Sequence, residues 1–554
     1  MNLLYHLFET FYRENQTQII TLLILSLAIT IVQTNAISFI TANIIQSIES
    51  NHIAESLRFF RYFIGISVVF LIIYYTYKFF QNNILTTMTQ WIKHEIFKII
   101  LLSNNENMKH VNFIEFITPI TRISISCYVL FFDIITVIIP TVAFVFMISA
   151  YFIYHTNTLG FTFLFANILI CAYLWWFWDD LTKEKNKHET HINNNEKFII
   201  DVLNNIDKVI YRGQTIPEIQ QFTGMIQESI RSGISFLSYT TNHVMVMTTM
   251  VYITLLWGIW YLIDLYRKRK LSNTVFITFF TILLLYRDRM LSTIQNIPDY
   301  LEFVGRLDYI MEEFTKMIGK KEDIQNILNK RYKFSILDFA HIRFRNVNFE
   351  YQNKKTTPVF ENLSLDIHTT NKIIGITGLS GKGKSSFAKL LLRLYEPSSG
   401  MITIDGKDIS TIDPDYIRAN ITYVNQNSKL FDKKIIDNIV YGCNHTDTCN
   451  NHLDEIMQYA KIRELYQNVD ILNGSAGSLG ENLSGGQRQV VNIISGLINP
   501  SKILILDEPT NALDSALKSD VIAAINHFRK YKQCIIIITH DKDVYSLFDE
   551  TIQI

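Results

Sequence analysis

At 554 residues the chain is long enough for several domains, and its formal net charge of zero excludes the bulk attraction to nucleic acid that a basic chain would have. Hydrophobic residues make up 48% of it and the mean hydropathy is +0.14, but these averages join two unlike parts, since apolar runs crowd the region before about residue 290 and charge is denser after it. Five cysteines, Cys127, Cys171, Cys443, Cys449 and Cys534, present no paired framework, which fits a reducing compartment around the C-terminal half.

Residues 1–15 place Leu3, Leu4, Leu7, Phe8 and Phe11 on one helical face, with Glu9, Arg13 and Glu14 elsewhere. The pattern predicts an amphipathic helix in the membrane interface, and it lacks the basic start and small-residue cleavage site of a signal peptide. Six apolar segments follow, at roughly 19–45, 60–82, 124–154, 160–179, 240–264 and 271–290, each near the length that crosses about 30 Å of hydrocarbon as a helix. His155-Thr156-Asn157-Thr158-Leu159 is a tight hairpin between the third and fourth. Long polar stretches of helical periodicity, 83–123 and 180–239, separate the second from the third and the fourth from the fifth. Trp175, Trp176 and Trp178, and later Trp257, Trp260 and Tyr261, sit where interfacial aromatic belts are expected.

Arg287-Asp288-Arg289 falls inside the sixth segment, where ionised groups are costly. Two readings are open: the charges line a wet path, or the helix has already left the membrane there. Residues 291–338 are polar, which sets the expected organisation: a membrane domain over 1–310, a linker over 311–338 and a soluble domain over 339–554.

The soluble part opens with His341 to Tyr351, alternating like a strand. Ile373-Ile374-Gly375-Ile376-Thr377 is a buried-strand pattern that runs into Gly378-Leu379-Ser380-Gly381-Lys382-Gly383-Lys384-Ser385-Ser386 and then a helical run. This fits G-x-x-x-x-G-K-[ST] in the strand–loop–helix setting that a phosphate-binding loop requires. Glycines let backbone N–H groups converge on phosphate oxygens, the helix N-terminus adds partial positive charge, Lys384 would neutralise the β- and γ-phosphates, and the Ser385 hydroxyl would ligate Mg²⁺. Downstream come Ile421-Thr422-Tyr423-Val424-Asn425-Gln426, then Leu483-Ser484-Gly485-Gly486-Gln487 opening a helix. Ile503 to Leu506 is an apolar strand ending in Asp507-Glu508, and four isoleucines, Ile535 to Ile538, lead to Thr539-His540. Apolar runs alternating with helical patterns predict a largely parallel sheet with helices on both faces and ligands at the strand ends.

This ordered set of motifs over roughly 341–554 resembles the nucleotide-binding domain of ATP-binding cassette (ABC) transporters. The six apolar segments ahead of it look like the exporter type, with Asp207 to Gln214 and Gly305 to Asp308 as weaker signals. The resemblance implies a multidomain chain: an all-α six-helix transmembrane domain with an interfacial N-terminal helix and long intracellular extensions, followed by an α/β P-loop cassette. It implies ATP and Mg²⁺ at Gly378, Ser380, Gly381, Gly383, Lys384, Ser385 and Ser386, with Tyr351 stacking on adenine. Ser385, Gln426 and Asp507 would hold the metal, with Gln426 also sensing the membrane domain, while Glu508 would polarise the attacking water and His540 brace the γ-phosphate. Ser484, Gly485, Gly486 and Gln487 would serve the ATP of a second cassette, and Asn511-Ala512-Leu513-Asp514 matches the loop that crosses the dimer seam.

A cytosolic cassette behind six spans puts both chain ends in the cytosol, and Lys93, Lys98, Lys109 (outside the residues described below), Lys183, Lys185, Lys187, Lys197 and Lys208 then agree with positive-inside bias. Arg267-Lys268-Arg269-Lys270 disagrees, because it would face outward. Ser475 stands where many exporters have a glutamate, Val490 and Ser495 replace arginines common after the signature, and the chain ends 14 residues beyond His540, without the usual helical extension. Cys443, His445, Cys449 and His452 match no common zinc spacing. The expected function is a half-size exporter, paired with a second copy or a relative in a lipid bilayer, moving an unidentified lipid, peptide or amphipathic solute, with no nucleic-acid partner. The alternative is an ATP-gated channel or regulatory membrane subunit, against which Glu508 argues, since a gate needs no fast hydrolysis.

Overall fold

The computed structural model describes residues 3–105, 117–318, 332, 336–351, 358–379, 381, 383–426, 429–466 and 472–554. They form two compact units, one of Met1–Ile100 with Val111–Gln325, the other of Leu101–His110 with Asn326–Ile554.

The first unit is helical. Amphipathic α1 (Leu3–Glu14) meets α2 (Gln16–Ile31) at a bend of 89°, and α2 continues through a π turn, Val32–Ala36, into α3 (Ile37–Glu49). Then come α4 (Ile53–Ser103), α5 (Ile117–Asp133), a second π turn, α6 (Ile139–His155), α7 (Asn157–Asn204), α8 (Ile206–Tyr211), α9 (Thr215–Arg267), α10 (Asn273–Gln295) and α11 (Ile297–Ile318). Four described helical stretches are long and apolar enough to cross a membrane, Ile53–Ser103, Ile120–His155, Asn157–Asn204 and Thr215–Arg267, and a fifth candidate is the bent pair α1–α2. All six expected segments are helical. The first and the third are each divided by a π turn, and the sixth, α10, carries Arg287, Asp288 and Arg289 in 23 residues, which removes it from a purely apolar count.

Those three charges separate in space. Arg287 pairs with the exposed Asp288 at 2.7 Å, while half-buried Arg289 donates from Nε to Thr141 Oγ1 of α6 at 3.1 Å. The basic stretch after α9 is partly neutralised by Asp264, which takes Lys268 at 2.6 Å and Arg267 at 3.2 Å. Farther along α7 a fully buried ion pair joins Lys185 to Glu189 at 3.3 Å, with Arg122 of α5 and Arg306 of α11 within 4.0 Å of the same carboxylate. Charges so deep persist only in company, and this one ties three helices together.

The second unit holds two sheets. β1 (His341–Phe349), β2 (Phe360–His368), β4 (Ser399–Ile404) and β5 (Lys407–Asp408) form an antiparallel sheet in the order β2-β1-β4-β5. β6 (Ile421–Val424), β7 (Ile503–Asp507), β8 (Cys534–Ile538), β3 (Lys372–Thr377) and β9 (Glu550–Gln553) form a parallel sheet in the order β6-β7-β8-β3-β9. The central strands are apolar throughout because both faces are covered. Ile503, Ile505, Ile536, Ile538, Ile374 and Ile376 pack with Phe344 and Phe387 on one side. Leu504, Leu506, Ile535, Ile537 and Ile373 pack with Val490, Ile494 and Phe528 on the other. At about 1.5–3 kcal/mol for each such side chain, the sheet is the main apolar investment of this unit.

One cysteine expectation is corrected. Cys443 and Cys449 are joined as a disulfide, with Cα atoms 6.7 Å apart. The pairing is local: Cys443 precedes the helix Thr446–Ile456 and Cys449 lies in its first turn and a half, so no long-range framework announces it. His452 Nδ1 lies 3.1 Å from the Ile498 carbonyl instead of joining the sulfurs, and among the described residues these side chains form no metal cluster.

Where the chain enters β1, the Asp405 carboxylate accepts from four successive backbone N–H groups, those of Asp338, Phe339, Ala340 and His341, at 2.8–3.0 Å. Asp405→Ala strands all four donors. It is expected to cost about 2–3 kcal/mol, read as a lowered melting temperature of the C-terminal unit; an unchanged melt would show that water replaces the carboxylate without loss.

Candidate functional site

The loop after β3 needs its glycines. Gly378 has φ +154° and a Cβ there would lie 2.1 Å from the Ile554 carbonyl oxygen; Gly383 has φ +96° and a Cβ there would lie 2.6 Å from Phe360. Gly381, at φ +84°, faces open space. The helix Lys384–Leu391 starts directly after Gly383. Lys384 is buried and its Nζ donates to the carbonyls of Gly378 at 2.8 Å and Leu379 at 3.2 Å, so the ammonium is held over its own loop. Ser385 stands in the first turn, and Ser386 bonds the Tyr351 hydroxyl at 2.8 Å. Ser380 and Lys382 lie outside the described residues.

Tyr351 is half-buried, with its ring edge-on to Phe349 at 4.8 Å and to Tyr395 at 5.2 Å, so part of its aromatic surface is already packed.

β7 delivers the two acids. Asp507 is 4% exposed, and its Oδ2 accepts from the Tyr423 hydroxyl on neighbouring β6 at 2.8 Å. Burial, reinforced by the Asp507 charge, pushes the Tyr423 phenol far above its usual range, so Tyr423 keeps the proton it donates. The backbone then turns sharply: Glu508 has φ +51°, a conformation few non-glycine residues adopt. Its N–H donates to the Ile538 carbonyl at 2.8 Å, which aligns the ends of β7 and β8. Its Oε1 lies 2.7 Å from His540 Nδ1, and its Oε2 accepts from Thr539 Oγ1 at 3.2 Å. A carboxylate only accepts, so Nδ1 carries the proton and Nε2 points elsewhere. The His540 side chain is 67% exposed while that of Glu508 is 10% exposed.

The segment Leu483-Ser484-Gly485-Gly486-Gln487, the signature that the resemblance implies, is a capping box. Ser484 Oγ accepts from Gln487 N at 3.2 Å and Gln487 Oε1 accepts from Ser484 N at 2.9 Å, which starts the helix Gly485–Ile498. Gly486 must be small, because a Cβ there would sit 2.9 Å from the Ala512 carbonyl. Gln426, exposed on the turn after β6, joins Asn425, Gly485, Gln489 and Ala512 around a cavity of about 330 Å³. Asp514 caps the helix Ser515–Phe528 by accepting from the N–H groups of Ala516 and Leu517. Val490 is fully buried, so an arginine there would enter the core, and Ser475 bonds Asp432 at 2.6 Å.

The fold therefore brings Asp507, Glu508 and His540 to one edge of the sheet, at the ends of β7 and β8, and β8 is in turn the neighbour of β3 and its loop. Three participants escaped the sequence reading: Tyr423, Thr539, and Gln489, whose amide donates to the Glu508 carbonyl at 2.7 Å and whose oxygen accepts from Ala512 N at 3.2 Å. Tyr423 and Thr539 stand inside motifs that were singled out, three residues before Gln426 and one before His540. Their signal is only that proximity, since Thr539 stands one residue past β8 and strand alternation assigns Tyr423 a sheet face and no partner on β7. Gln489 has no such signal.

Among known families, the one described as ABC transporter matches residues 360–511. An export ATP-binding/permease protein of Rickettsia typhi is 36% identical over 231 residues, 42% of this chain and 39% of that protein. ABC transporter B family member 26, chloroplastic, of Arabidopsis thaliana is 35% identical over 206 residues, 36% of this chain and 29% of that protein. The chain thus spans at most 39% of the length of these curated relatives. Among solved structures, a bacterial Atm1-family ABC exporter with ATP bound superposes over 98% of this chain and 93% of its own, with a TM-score of 0.78 at 20% identity.

Because Tyr423 holds one oxygen of Asp507 and leaves the other open, Tyr423→Phe should loosen the carboxylate. The concentration of Mg²⁺ needed for half-maximal ATP binding is expected to rise about tenfold; an unchanged Mg²⁺ dependence would detach Tyr423 from the site.

Proposed function

We propose that this chain, a multi-pass membrane protein with the ABC exporter fold and a cytosolic ATP-binding cassette, is a half-size exporter that couples ATP binding and hydrolysis to the movement of a lipid, peptide or amphipathic solute. The observation that carries this reading is the exit of Asp507-Glu508, Thr539-His540 and the β3 loop from three adjacent strands at one edge of the sheet, with Glu508 held by His540, since a protein that only binds nucleotide has no use for a water-activating carboxylate held this way.

In this reading the loop N–H groups and the N-terminus of the helix Lys384–Leu391 cradle the phosphates of ATP. Lys384 exchanges the carbonyls of Gly378 and Leu379 for the β- and γ-phosphates. Ser385, Gln426 and Asp507 offer only oxygen donors, which suits Mg²⁺ and its demand for hard ligands. When bound, that ion neutralises charge on the phosphates. Glu508 orients and polarises the attacking water, with His540 and Thr539 fixing its carboxylate until the γ-phosphate arrives. Tyr351 offers adenine the ring surface that Phe349 and Tyr395 leave open.

Ser484, Gly485 and Gly486 cap a second helix N-terminus, which faces the Gln426 turn and Ala512 in its own chain. It is the natural counterpart for the γ-phosphate of ATP held by another cassette, so the working unit is a pair, either two copies or this chain and a relative. Every position needed for two competent sites is present in one chain.

Glu508→Gln keeps the size of the side chain but cannot take the water's proton. The variant is expected to bind ATP, to hydrolyse it on the order of 10²–10⁴-fold more slowly, and to accumulate as an ATP-loaded pair. In vesicles, solute flux should require hydrolysis and vanish in this variant. Turnover within about twofold of the parent would remove Glu508 from its role, and ion current that persists in the variant with ATP alone would make the protein a gate.

A further inference from the structure

At the start of β1 and the end of β2, four side chains share the solvent face of the antiparallel sheet. His341 is the cross-strand partner of His368, and Arg343 that of Asp366, while the intervening Ile342, Phe344 and Ile367 are buried beneath. The two imidazoles lie parallel to within 2°, with centroids 4.6 Å apart. Both Nε2 atoms converge on one oxygen: His341 Nε2 bonds Asp366 Oδ1, and His368 Nε2 lies 3.9 Å from it. The other carboxylate oxygen, Oδ2, is taken by Arg343 through Nε at 3.0 Å and its terminal nitrogen at 2.7 Å. One ligand atom from each of His341, Asp366 and His368 falls within 4.8 Å of the others.

We propose that His341, His368 and Asp366 form a surface binding site for a borderline divalent transition metal of the Zn²⁺, Cu²⁺ or Ni²⁺ class. Two imidazoles and one carboxylate are the donor set that such ions prefer over the all-oxygen sets of Mg²⁺ and Ca²⁺. A tetrahedral ion at about 2.0–2.2 Å from each donor needs ligand atoms about 3.4 Å apart, which side-chain rotations reach from the observed arrangement without moving the backbone. The backbone is itself held, because Asp405 fixes the N–H of His341 and the ladder fixes His341 opposite His368. Arg343 plays two parts. Its grip on Oδ2 aims Oδ1 at the imidazoles, as outer partners of metal-bound carboxylates do, and its guanidinium, 3.5 Å from His341 Nε2, is the cation a metal must work beside. The remaining coordination positions open to solvent, since His368 is 70% exposed. The site is distinct from the phosphate loop: it occupies the end of β1 opposite Phe349 and Tyr351, about 26 Å along the strand at ~3.3 Å per residue.

The test uses the full chain without a polyhistidine tag, stripped with chelator and kept free of nucleotide and Mg²⁺ so that the phosphate site takes no ion. Co²⁺ is titrated by its visible absorption and then displaced with Zn²⁺. One saturable Co²⁺ site at micromolar concentration is expected. His341→Ala and His368→Ala should each weaken it tenfold or more. Exposed His368 can be removed without disturbing the core, so its variant tests the site independently of folding. Co²⁺ uptake that is absent in the parent, or unchanged in His368→Ala, would overturn the proposal.

Discussion

The register of three parallel strands is the constraint on which the site depends. β3, β8 and β7 run side by side with Ile376 opposite Ile538 and Ile538 opposite Asp507, so the phosphate loop, Thr539-His540 and Asp507-Glu508 leave the sheet at one level. Apolar side chains on both faces of these strands hold that register, because a slip of one residue would turn each isoleucine toward the wrong core. The chemistry at the edge is thus positioned by the packing underneath it. The Glu508 N–H to Ile538 carbonyl bond adds a last rung that fixes the acid relative to the histidine.

That edge carries backbone strain of its own. Gly378 and Gly383 take conformations that a side chain would obstruct, and Glu508 takes one that costs an ordinary residue on the order of 1–3 kcal/mol. The surrounding bonds from Gln489, Thr539 and His540 hold Glu508 there. Lys384 is likewise held ready: its ammonium has partners in its own loop, so phosphates would replace existing hydrogen bonds and the lysine need not be drawn in from solvent.

Much of this was legible in the sequence, and for physical reasons. A phosphate loop needs glycines at fixed spacing, a two-faced parallel strand reads as a continuous apolar run, and Leu483 to Gln487 reads as the opening of a helix. What was not legible depends on tertiary context. Tyr423 is a strand tyrosine until its neighbour strand turns out to end in Asp507. Glu508 carries no mark of its left-handed backbone. Cys443 and Cys449 pair across a single helix start, and a search for zinc spacing or for a long-range framework passes over them. In the membrane unit, hydropathy located six helical segments, but it could not foresee that π turns would divide the first and the third or that Arg289 would find Thr141 on another helix.

The central claim is that each ATP is completed by the signature segment of a second chain. Differently tagged Lys384→Ala and Ser484→Arg chains, each expected to be inactive alone, test it directly when co-assembled. A mixed pair contains one site in which both the phosphate loop and the signature are intact, so isolated mixed pairs should recover ATP hydrolysis. If the mixed pairs stay as inactive as either parent, or if Ser484→Arg alone hydrolyses ATP at the rate of the unmodified chain, the shared site does not exist.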